Sequence, residues 1–213
     1  MPESLRVPYS LHNPCLAVLT DRTLLPPTWT LGQALAPAVT GGVDLVILQE
    51  YDLPKVPRKT VAEFVADGIR GRAAYVIAEG VDLAEAIGAT GVHLHGDIQL
   101  VQQARERLGE DALIGYTAKS LDEISTAKEY GADYVLVCLD WSDANSALAT
   151  LKRYATESLI PVLAGADVPM NQAANCLLAG AEGITIISTA MDSPDRAGKM
   201  QEYKQALGGP NDS

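Results

Sequence analysis

The stretch GVDLVILQEYD, residues 42–52, has the pattern of a strand that is buried on both faces and then ends in polar residues. Five of the six residues from Val43 to Leu48 are apolar, which is typical of a parallel strand covered on both sides. The polar triplet QEY follows, and Pro54 then interrupts the run. The polar end is either a functional mouth or an ordinary exit from a sheet, and the remaining sequence has to distinguish the two.

Similar apolar runs recur along the chain, all rich in Val, Ile and Leu as doubly buried strands are. With the run at 43–49 they make eight strand candidates, and the others are 15–20, 73–78, 91–95, 112–116, 133–139, 160–165 and 183–188. Amphipathic helix patterns lie between them. One of these opens with Ser120 and Glu123 at capping-box spacing, and Gly131 and Gly180 stand where helices end.

The alternation of eight strand candidates with helix candidates predicts a single (β/α)8 TIM barrel. A doubly wound open sheet is the alternative fold, and the absence of GxGxxG after the first strand argues against its dinucleotide-binding version. No linker is evident. We therefore expect one domain at 14–207, an N-terminal extension at 1–13 and a frayed tail at 208–213.

Composition and charge limit the classes of function. Hydrophobic residues make up 47% of the chain and charged residues 20%, which allows a sizeable core. The formal net charge of −11, from 27 acidic and 16 basic residues, disfavours non-specific nucleic-acid binding. An anionic phosphate ligand would need local dipoles or a metal ion to attract it.

The cysteines and the N-terminal sequence predict a cytoplasmic location. Cys15, Cys138 and Cys176 are widely spaced, odd in number and form no CxxC motif, so we expect reduced and mostly buried thiols. The N-terminal stretch lacks the apolar segment of a signal peptide, and no apolar run approaches the ~18 residues of a membrane helix. We expect no association with a membrane.

Function in a (β/α)8 barrel lies at the carboxyl ends of the strands. This rule selects a set of mostly polar positions that would share one mouth. They are Asp21, Arg22, Gln49, Glu50, Tyr51, Glu79, His95, Asp97, Thr117, Lys119, residues 140–143, residues 165–167, Ser188 and Thr189.

Seven segments, in this order, resemble thiamine-phosphate synthase and its TenI-type relatives. They are LAVLTDR (16–22), GVDLVILQEYD (42–52), VDLAEAIGATGVHLHGD (81–97), IGYTAKSLDEI (114–124), GADYVLV (131–137), IPVLAGADV (160–168) and GAEGITIIS (180–188). The resemblance implies an α/β barrel of thiamine biosynthesis. The reaction it implies is a transfer that joins a hydroxymethylpyrimidine pyrophosphate to a thiazole phosphate with Mg²⁺.

The chain departs from this family at positions that bind phosphate. The family's second strand reads like VQLREKD, and its Gln, Arg and Lys correspond here to Ile47, Gln49 and Tyr51. A cationic contact to phosphate is roughly twice as strong as a neutral hydrogen bond, so this change weakens pyrophosphate binding. The family's phosphate-binding GG after strand seven is replaced by Ala166 and Asp167, and a carboxylate there should repel phosphate.

The loop after the sixth strand departs as well. The family has a GPVFPTxTK-like loop, whereas this chain has CLDWSDANS at 138–146, with no Lys and two new acids. TenI-type tautomerases place a His where this chain has Leu139, so that activity is not supported. Cys138 has no cation nearby in sequence, and we expect an inert thiol. Trp141 is either a stacking surface or a barrel plug.

Glu79 and Asp97 are the candidate metal ligands. Under the resemblance, Glu79 stands where the family usually has a metal-binding Asp after strand three, and Asp97 matches the acid after strand four. Two carboxylates with waters and a phosphate oxygen suit Mg²⁺. Alternatively, Asp97 caps the helix that begins near Ile98. His93, His95 and Asp97 also form an HxHxD pattern suited to a transition metal. The resemblance implies a structural role for His93, whereas His95 takes a position that is usually Gly and would narrow the pocket.

Thr117, Lys119 and Ser188 are the candidate phosphate- or ligand-binding residues. Under the resemblance, Thr117 replaces a Ser after strand five, and Ser188 matches a residue whose backbone holds phosphate. Lys119 either partly replaces a lost cation or is a solvated loop lysine. The basic cluster at 55–59 is either a loop that leads into a helix or a phosphate-recruiting lid.

Two classes of function follow. The first is a divergent synthase-like transferase that works through the two candidate metal ligands with Mg²⁺. The second is a non-catalytic barrel that serves as an interaction or assembly subunit or senses a small ligand. The loss of phosphate-binding residues favours this second class, because the synthase reaction needs them. We expect Ile47, Tyr51, Leu139 and Trp141 to make the mouth apolar, for a small phosphorylated or apolar ligand or a protein partner. The sequence leaves open whether the chain forms a homo-oligomer.

Overall fold

The structure, a computed structural model, describes residues 11–208. Eight parallel strands pair in chain order and the last pairs with the first, so the sheet closes into a barrel. The strands are β1 (Cys15–Leu19), β2 (Leu45–Leu48), β3 (Ala74–Ala78), β4 (Gly91–Leu94), β5 (Leu113–Ala118), β6 (Tyr134–Cys138), β7 (Val162–Gly165) and β8 (Gly183–Ile186). The predicted (β/α)8 barrel is confirmed. The alternative prediction of an open doubly wound sheet is wrong, because β1 and β8 would not pair in such a sheet.

Each strand is followed by a helix that covers the outside of the barrel. The helices of the described residues are α1 (Leu31–Thr40), α2 (Lys55–Ile69), α3 (Val81–Ile87), α4 (Gln99–Leu108), α5 (Leu121–Glu129), α6 (Ala144–Glu157), α7 (Ala173–Leu178), α8 (Ser188–Asp192) and α9 (Arg196–Ala206). Short 3-10 turns lie at Arg22–Leu24 and Met170–Gln172. The short helix α8 stands between β8 and the longer α9.

The predicted helix start at Ser120 is confirmed, with one difference. Ser120 Oγ accepts a hydrogen bond from the Glu123 N–H at 3.1 Å, as in a capping box. The Glu123 carboxylate accepts from the N–H of Lys119 at 2.8 Å, one residue before the cap. A full capping box, which the sequence patterns did not single out, begins α1 with Thr30 and Gln33.

Two apolar cores divide the strand side chains between them. Successive strand residues point alternately into the barrel and out towards the helices. The inward set includes Ala17, Ile47, Val76, Leu136 and Leu163, and the outward set packs against the helices in a larger cluster. The barrel interior is therefore a packed core and not a channel, so a ligand has access at the mouth and not through the centre.

A polar pair lies within the apolar interior. His93 on β4 stacks on Tyr134 of β6, with ring centroids 5.5 Å apart and Nδ1 3.0 Å from the tyrosine hydroxyl. The other ring nitrogen, Nε2, lies 2.8 Å from Thr117 Oγ1 on β5. Gly115 leaves room for the two rings, because a Cβ there would lie 2.1 Å from Tyr134 and 2.5 Å from His93.

Most of each chain end lies outside the described residues. Residues 1–10 and 209–213, which hold most of the predicted extension and tail, are the parts concerned. The predicted domain bounds therefore stay predictions, while the barrel elements run from Cys15 to Ala206. Across 11–208, no helix combines the length and the hydrophobicity that crossing a bilayer requires.

We expect Gly115→Ala to destabilise the barrel by about 3 kcal/mol, the upper end of the usual cost of overpacking a core. The added methyl would overlap two rings that are packed on all sides. Chemical denaturation measures the loss as a lower midpoint. Gly88→Ala is the matched control, since no atom lies within 4 Å of the methyl carbon that alanine would add there. This variant should lose only the roughly 1 kcal/mol of stability that a left-handed backbone conformation costs an alanine. Equal losses in both variants would contradict the packing account.

Candidate functional site

Four non-glycine residues that follow barrel strands have positive φ angles, a conformation that L-residues rarely adopt. They are Glu50 (28°), Glu79 (52°), Ala166 (66°) and Asp167 (57°). They follow β2, β3 and β7. The strained residues therefore all lie at the carboxyl-terminal end of the barrel, where the strand ends surround the mouth. Strain of this kind clusters at functional sites, where surrounding contacts hold it in place.

An ion-pair network closes the rim between β1 and β2. The Arg22 guanidinium lies 2.8 Å from Glu50 and 2.6 Å from Asp52, and the Arg22 N–H also donates to Glu50 at 3.1 Å. Glu50 is 5% exposed, so it is a buried anchor rather than a group presented to a ligand. The hydrogen bonds that Arg22 donates to Asp52 and Glu50 raise the pKa of Arg22. The polar end of the stretch at 42–52 is thus in part an internal ion pair.

Four connected side chains, here named the Tyr51 cluster, occupy the rim from β2 to β4: Tyr51, Arg58, Glu79 and His95. Tyr51 is 48% exposed, and its ring centroid lies 5.6 Å from the Arg58 guanidinium carbon and 5.9 Å from the His95 ring, edge to face. Glu79 Oε1 accepts from the His95 N–H at 2.6 Å and lies 2.8 Å from His95 Nδ1. The cluster therefore exposes the aromatic ring of Tyr51, and the side chains beside this ring are held by contacts with one another.

The basic residues at 55–59 lie on the first turns of α2, so the loop assignment is wrong for them, and a role in recruiting phosphate stays a prediction. Arg58 donates to the carbonyl oxygens of Gln49, at 3.0 Å, and of Ala78. The same turns line a groove of about 500 Å³ beside α3. Arg58 therefore ties the ends of β2 and β3 to α2, and no sequence signal marks this role because its acceptors belong to two strands.

The candidate metal ligands Glu79 and Asp97 follow the neighbouring strands β3 and β4. Glu79 Oε1 is held by His95, and Asp97 Oδ1 accepts a hydrogen bond from the Gln99 N–H at 3.0 Å, a helix-start contact. No described residue donates a hydrogen bond to the second oxygen of either carboxylate. Because Mg²⁺ prefers oxygen ligands and keeps several waters, the donor chemistry of the pair fits that ion.

The HxHxD pattern does not converge on one point. His93 uses both ring nitrogens inside the barrel, whereas His95 is exposed on the rim beside Glu79. Strand β4 ends at Leu94, and Gly96 then turns the chain with a φ of 77°. Within residues 11–208, no group of three or more His, Cys, Asp or Glu side chains is placed to hold a metal ion. The transition-metal hypothesis for this motif is therefore wrong.

Two of the candidate ligand-binding residues, Thr117 and Lys119, lie at the end of β5. Thr117 Oγ1 is paired with His93 Nε2 at 2.8 Å, which directs the hydroxyl towards the barrel interior. Lys119 is exposed; its carbonyl accepts from the Tyr154 hydroxyl at 3.0 Å and its N–H donates to Glu123. These main-chain contacts fix the backbone of Lys119 and leave its ammonium group at the surface.

The third candidate, Ser188, faces a carboxylate. Its Oγ donates to Asp167 Oδ2 at 2.6 Å, and its N–H donates to Asp167 Oδ1 at 3.2 Å. The sequence predicted a repelling carboxylate at this point but not these hydrogen bonds, because 21 residues separate the pair. The ligand-binding role of Ser188 stays a prediction.

Cys138 is exposed at the end of β6, so the prediction of a buried thiol is wrong for this residue, because the last position of a strand reaches the open rim. Partial burial of the sulfur raises the pKa of Cys138, and the charge of Lys119, which follows β5, opposes that shift. The thiol stays protonated at neutral pH. Cys15 and Cys176 are buried, as predicted.

Two residues expected to make the mouth apolar, Ile47 and Leu139, are buried. Ile47 is 0% exposed in the barrel interior and Leu139 is 7% exposed in the outer cluster. The expectation is wrong for both, because Ile47 points into the barrel interior and Leu139, which follows β6, packs into the outer cluster. Trp141 is half-buried and donates its indole N–H to the Gly165 carbonyl at 3.0 Å. Tyr51 alone of these four is an exposed large side chain.

The two new acids of the loop at 138–146 have local structural contacts. Asp143 Oδ1 accepts from the N–H groups of Asn145 at 3.1 Å and Ser146 at 3.2 Å and so caps α6. Asp140 accepts from the Ser142 N–H at 2.9 Å. Both carboxylates shape the loop, and nothing in their contacts pairs them for acid–base chemistry.

The comparison with known sequences identifies the family. Residues 16–190 match the family model described as thiamine monophosphate synthase. The chain belongs to the thiamine monophosphate synthase family. A thiamine-phosphate synthase of Natronomonas pharaonis is 32% identical over 172 residues, covering 75% of this chain and 80% of that protein. Another, from Clostridium novyi, is 30% identical over 191 residues, covering 86% and 93% respectively.

Solved structures agree on the architecture. Thiamine phosphate pyrophosphorylase from Pyrococcus furiosus superposes with a TM-score of 0.79 at 25% identity and covers 91% of this chain and 95% of its own. A structure described as native KDPGal superposes with a TM-score of 0.71 at 18% identity, covering 94% and 97% respectively. The second likeness extends to the fold alone. The resemblance drawn from seven segments is thus confirmed at the level of the family.

The buried His93 predicts an acid-sensitive barrel. Burial, with a contribution from the charge of His95, lowers the pKa of His93 to about 3, whereas an unfolded histidine titrates near ~6.5. Protonation therefore favours the unfolded chain. The contribution to stability is complete above about pH 6.5 and falls by about 1.4 kcal/mol per pH unit down towards pH 3.

We expect His93→Gln to flatten the fall in unfolding free energy between about pH 6 and pH 4, because glutamine does not titrate there. Urea denaturation at each pH measures this slope. The exposed His12 supplies the control, and His12→Gln should keep the wild-type slope. A wild-type slope in His93→Gln would contradict the account.

Proposed function

We propose that this family member does not carry out the pyrophosphate-dependent synthase reaction at a physiological rate, and that its mouth binds a small planar ligand without a phosphate group. One observation carries the proposal: the two arginines that contact the end of β2 are engaged internally. Arg22 pairs with two carboxylates and Arg58 with two main-chain carbonyls. The rim positions that the resemblance assigns to pyrophosphate are the neutral Gln49 and Tyr51.

The size of the expected loss supports this proposal. A hydrogen bond to a charged group contributes roughly 1.5–3 kcal/mol, so two missing cationic contacts remove roughly 3–6 kcal/mol. That corresponds to an affinity lower by about 10²- to 10⁴-fold. The net charge of −11 offers no long-range attraction for a polyanion that would offset the loss.

The Tyr51 cluster supports the positive part of the proposal. Small-ligand sites combine an aromatic or apolar surface with a few fixed polar groups. Tyr51 supplies an exposed ring, and the half-exposed His95 supplies an imidazole whose orientation Glu79 fixes. A planar ligand would stack on Tyr51 and hydrogen-bond at its edge.

A second candidate function is the synthase reaction of the relatives. It is favoured by similarity over nearly the full length of the chain and by the donor chemistry of Glu79 and Asp97. These two carboxylates would hold Mg²⁺. The ion would neutralise the pyrophosphate and stabilise it as a leaving group. Thr117, Lys119 and Ser188 would then contact the phosphates.

A direct assay separates the two candidates. We expect no turnover approaching ~1 s⁻¹, within the ordinary enzymatic range, when the protein receives hydroxymethylpyrimidine pyrophosphate, thiazole phosphate and Mg²⁺. The Clostridium novyi relative serves as the positive control. Turnover near that rate, lost in a folded Asp97→Asn variant, would refute the first candidate and establish the second.

A thermal shift with unphosphorylated hydroxymethylpyrimidine tests the ligand surface. Saturation at 100 times the dissociation constant stabilises a fold by about 2.7 kcal/mol. We expect a saturable rise in Tm that Tyr51→Ala abolishes and Phe64→Ala, at an exposed aromatic on α2, preserves. The absence of any shift, together with a protein complex that survives gel filtration, would replace the ligand proposal with the interaction-subunit alternative.

A further inference from the structure

The Asp167 carboxylate is bound by the chain segment that follows β8. Its Oδ1 accepts hydrogen bonds from the N–H groups of Ile187, at 2.7 Å, and Ser188, at 3.2 Å. Its Oδ2 accepts from the Ser188 hydroxyl at 2.6 Å. Three donors from two consecutive residues thus converge on one anionic group.

The backbone that delivers this carboxylate is strained and held from both sides. Ala166 and Asp167 have φ angles of 66° and 57°, a conformation that is unfavourable for residues other than glycine. The Val168 N–H donates to the Thr185 carbonyl at 2.9 Å, and the Val168 carbonyl accepts from the buried Tyr203 hydroxyl at 2.9 Å. These contacts fix the turn so that the carboxylate reaches its donors.

The same donors are those a phosphate group would need. In (β/α)8 barrels the loops after strands seven and eight frequently bind phosphate through backbone N–H groups. A carboxylate and a phosphate oxygen compete for such donors, and the fixed negative charge repels a second anion. Because Asp167 is tethered beside its partners, it competes at a high effective concentration.

We propose that Asp167 is a specificity-determining residue, an internal anion that occupies the donors after β8 and excludes phosphate from this side of the mouth. The inference deepens the proposed function and rests on it for the assumption that the native ligand carries no phosphate. It adds the residue that enforces this choice, on the side of the barrel opposite the Tyr51 cluster. Removing the carboxylate should open the subsite.

Inorganic phosphate is the probe, and binding is measured by calorimetry and by the backbone amide resonances of Ile187 and Ser188. We expect Asp167→Gly to bind phosphate at least about tenfold more tightly than the wild type, since one repelling charge is gone and the donors are released. Asp167→Asn, which keeps an acceptor oxygen but no charge, should gain less. Ala166→Gly relaxes the backbone but keeps the carboxylate, and it should gain nothing.

Three results would overturn the inference. The first is a wild-type protein whose Ile187 and Ser188 resonances already respond saturably to phosphate. The second is a folded Asp167→Gly or Asp167→Asn variant that binds phosphate no more tightly than the wild type. If the Gly variant does not fold, the conservative Asn variant still provides this test. The third is an equal gain in Ala166→Gly. These measurements follow phosphate binding and not turnover, so they test the inference separately from the proposed function. Synthase activity in a wild-type protein whose Ile187 and Ser188 resonances do not respond to phosphate would refute the proposed function and leave the inference about Asp167 standing.

Discussion

Closure of the parallel sheet is the constraint on which the other features of this protein depend. Because β1 pairs with both β2 and β8, all eight strands end on one rim, and residues far apart in the chain become neighbours there. Closure also seals the strand side chains into two cores. The interior is filled by aliphatic residues and by the stacked pair of His93 and Tyr134, so ligand chemistry is confined to the rim.

At that rim, the polar groups bind one another. Glu50 is buried against Arg22, Glu79 holds His95, Thr117 meets His93, and Asp167 is bound by Ser188. A buried or half-buried polar group without a partner is costly, and these pairings satisfy such groups without a ligand. The strain at positions such as Glu79 and Asp167 is sustained by the same contacts. A ligand that needed Glu50, the Thr117 hydroxyl or the Ser188 donors would first have to displace an internal partner.

Family membership and site chemistry therefore carry different information. The family follows from similarity over residues 16–190 and the fold from a closed barrel. Activity depends on a few rim side chains, which can change while the fold is retained. At Gln49, Tyr51 and Asp167 this chain carries groups that bind a polyanion less well than cations or bare amides do.

The sequence by itself determined the eight strands, the barrel and the family, because strand burial and helix capping are encoded by neighbouring residues. It also located the rim positions. Tertiary structure alone decided what each rim group contacts. Ser188 meets Asp167 at a separation of 21 residues, and His93 meets Tyr134 at 41. Such pairs depend on strand order and register across the closed sheet, and local patterns do not specify which side chains that geometry brings together.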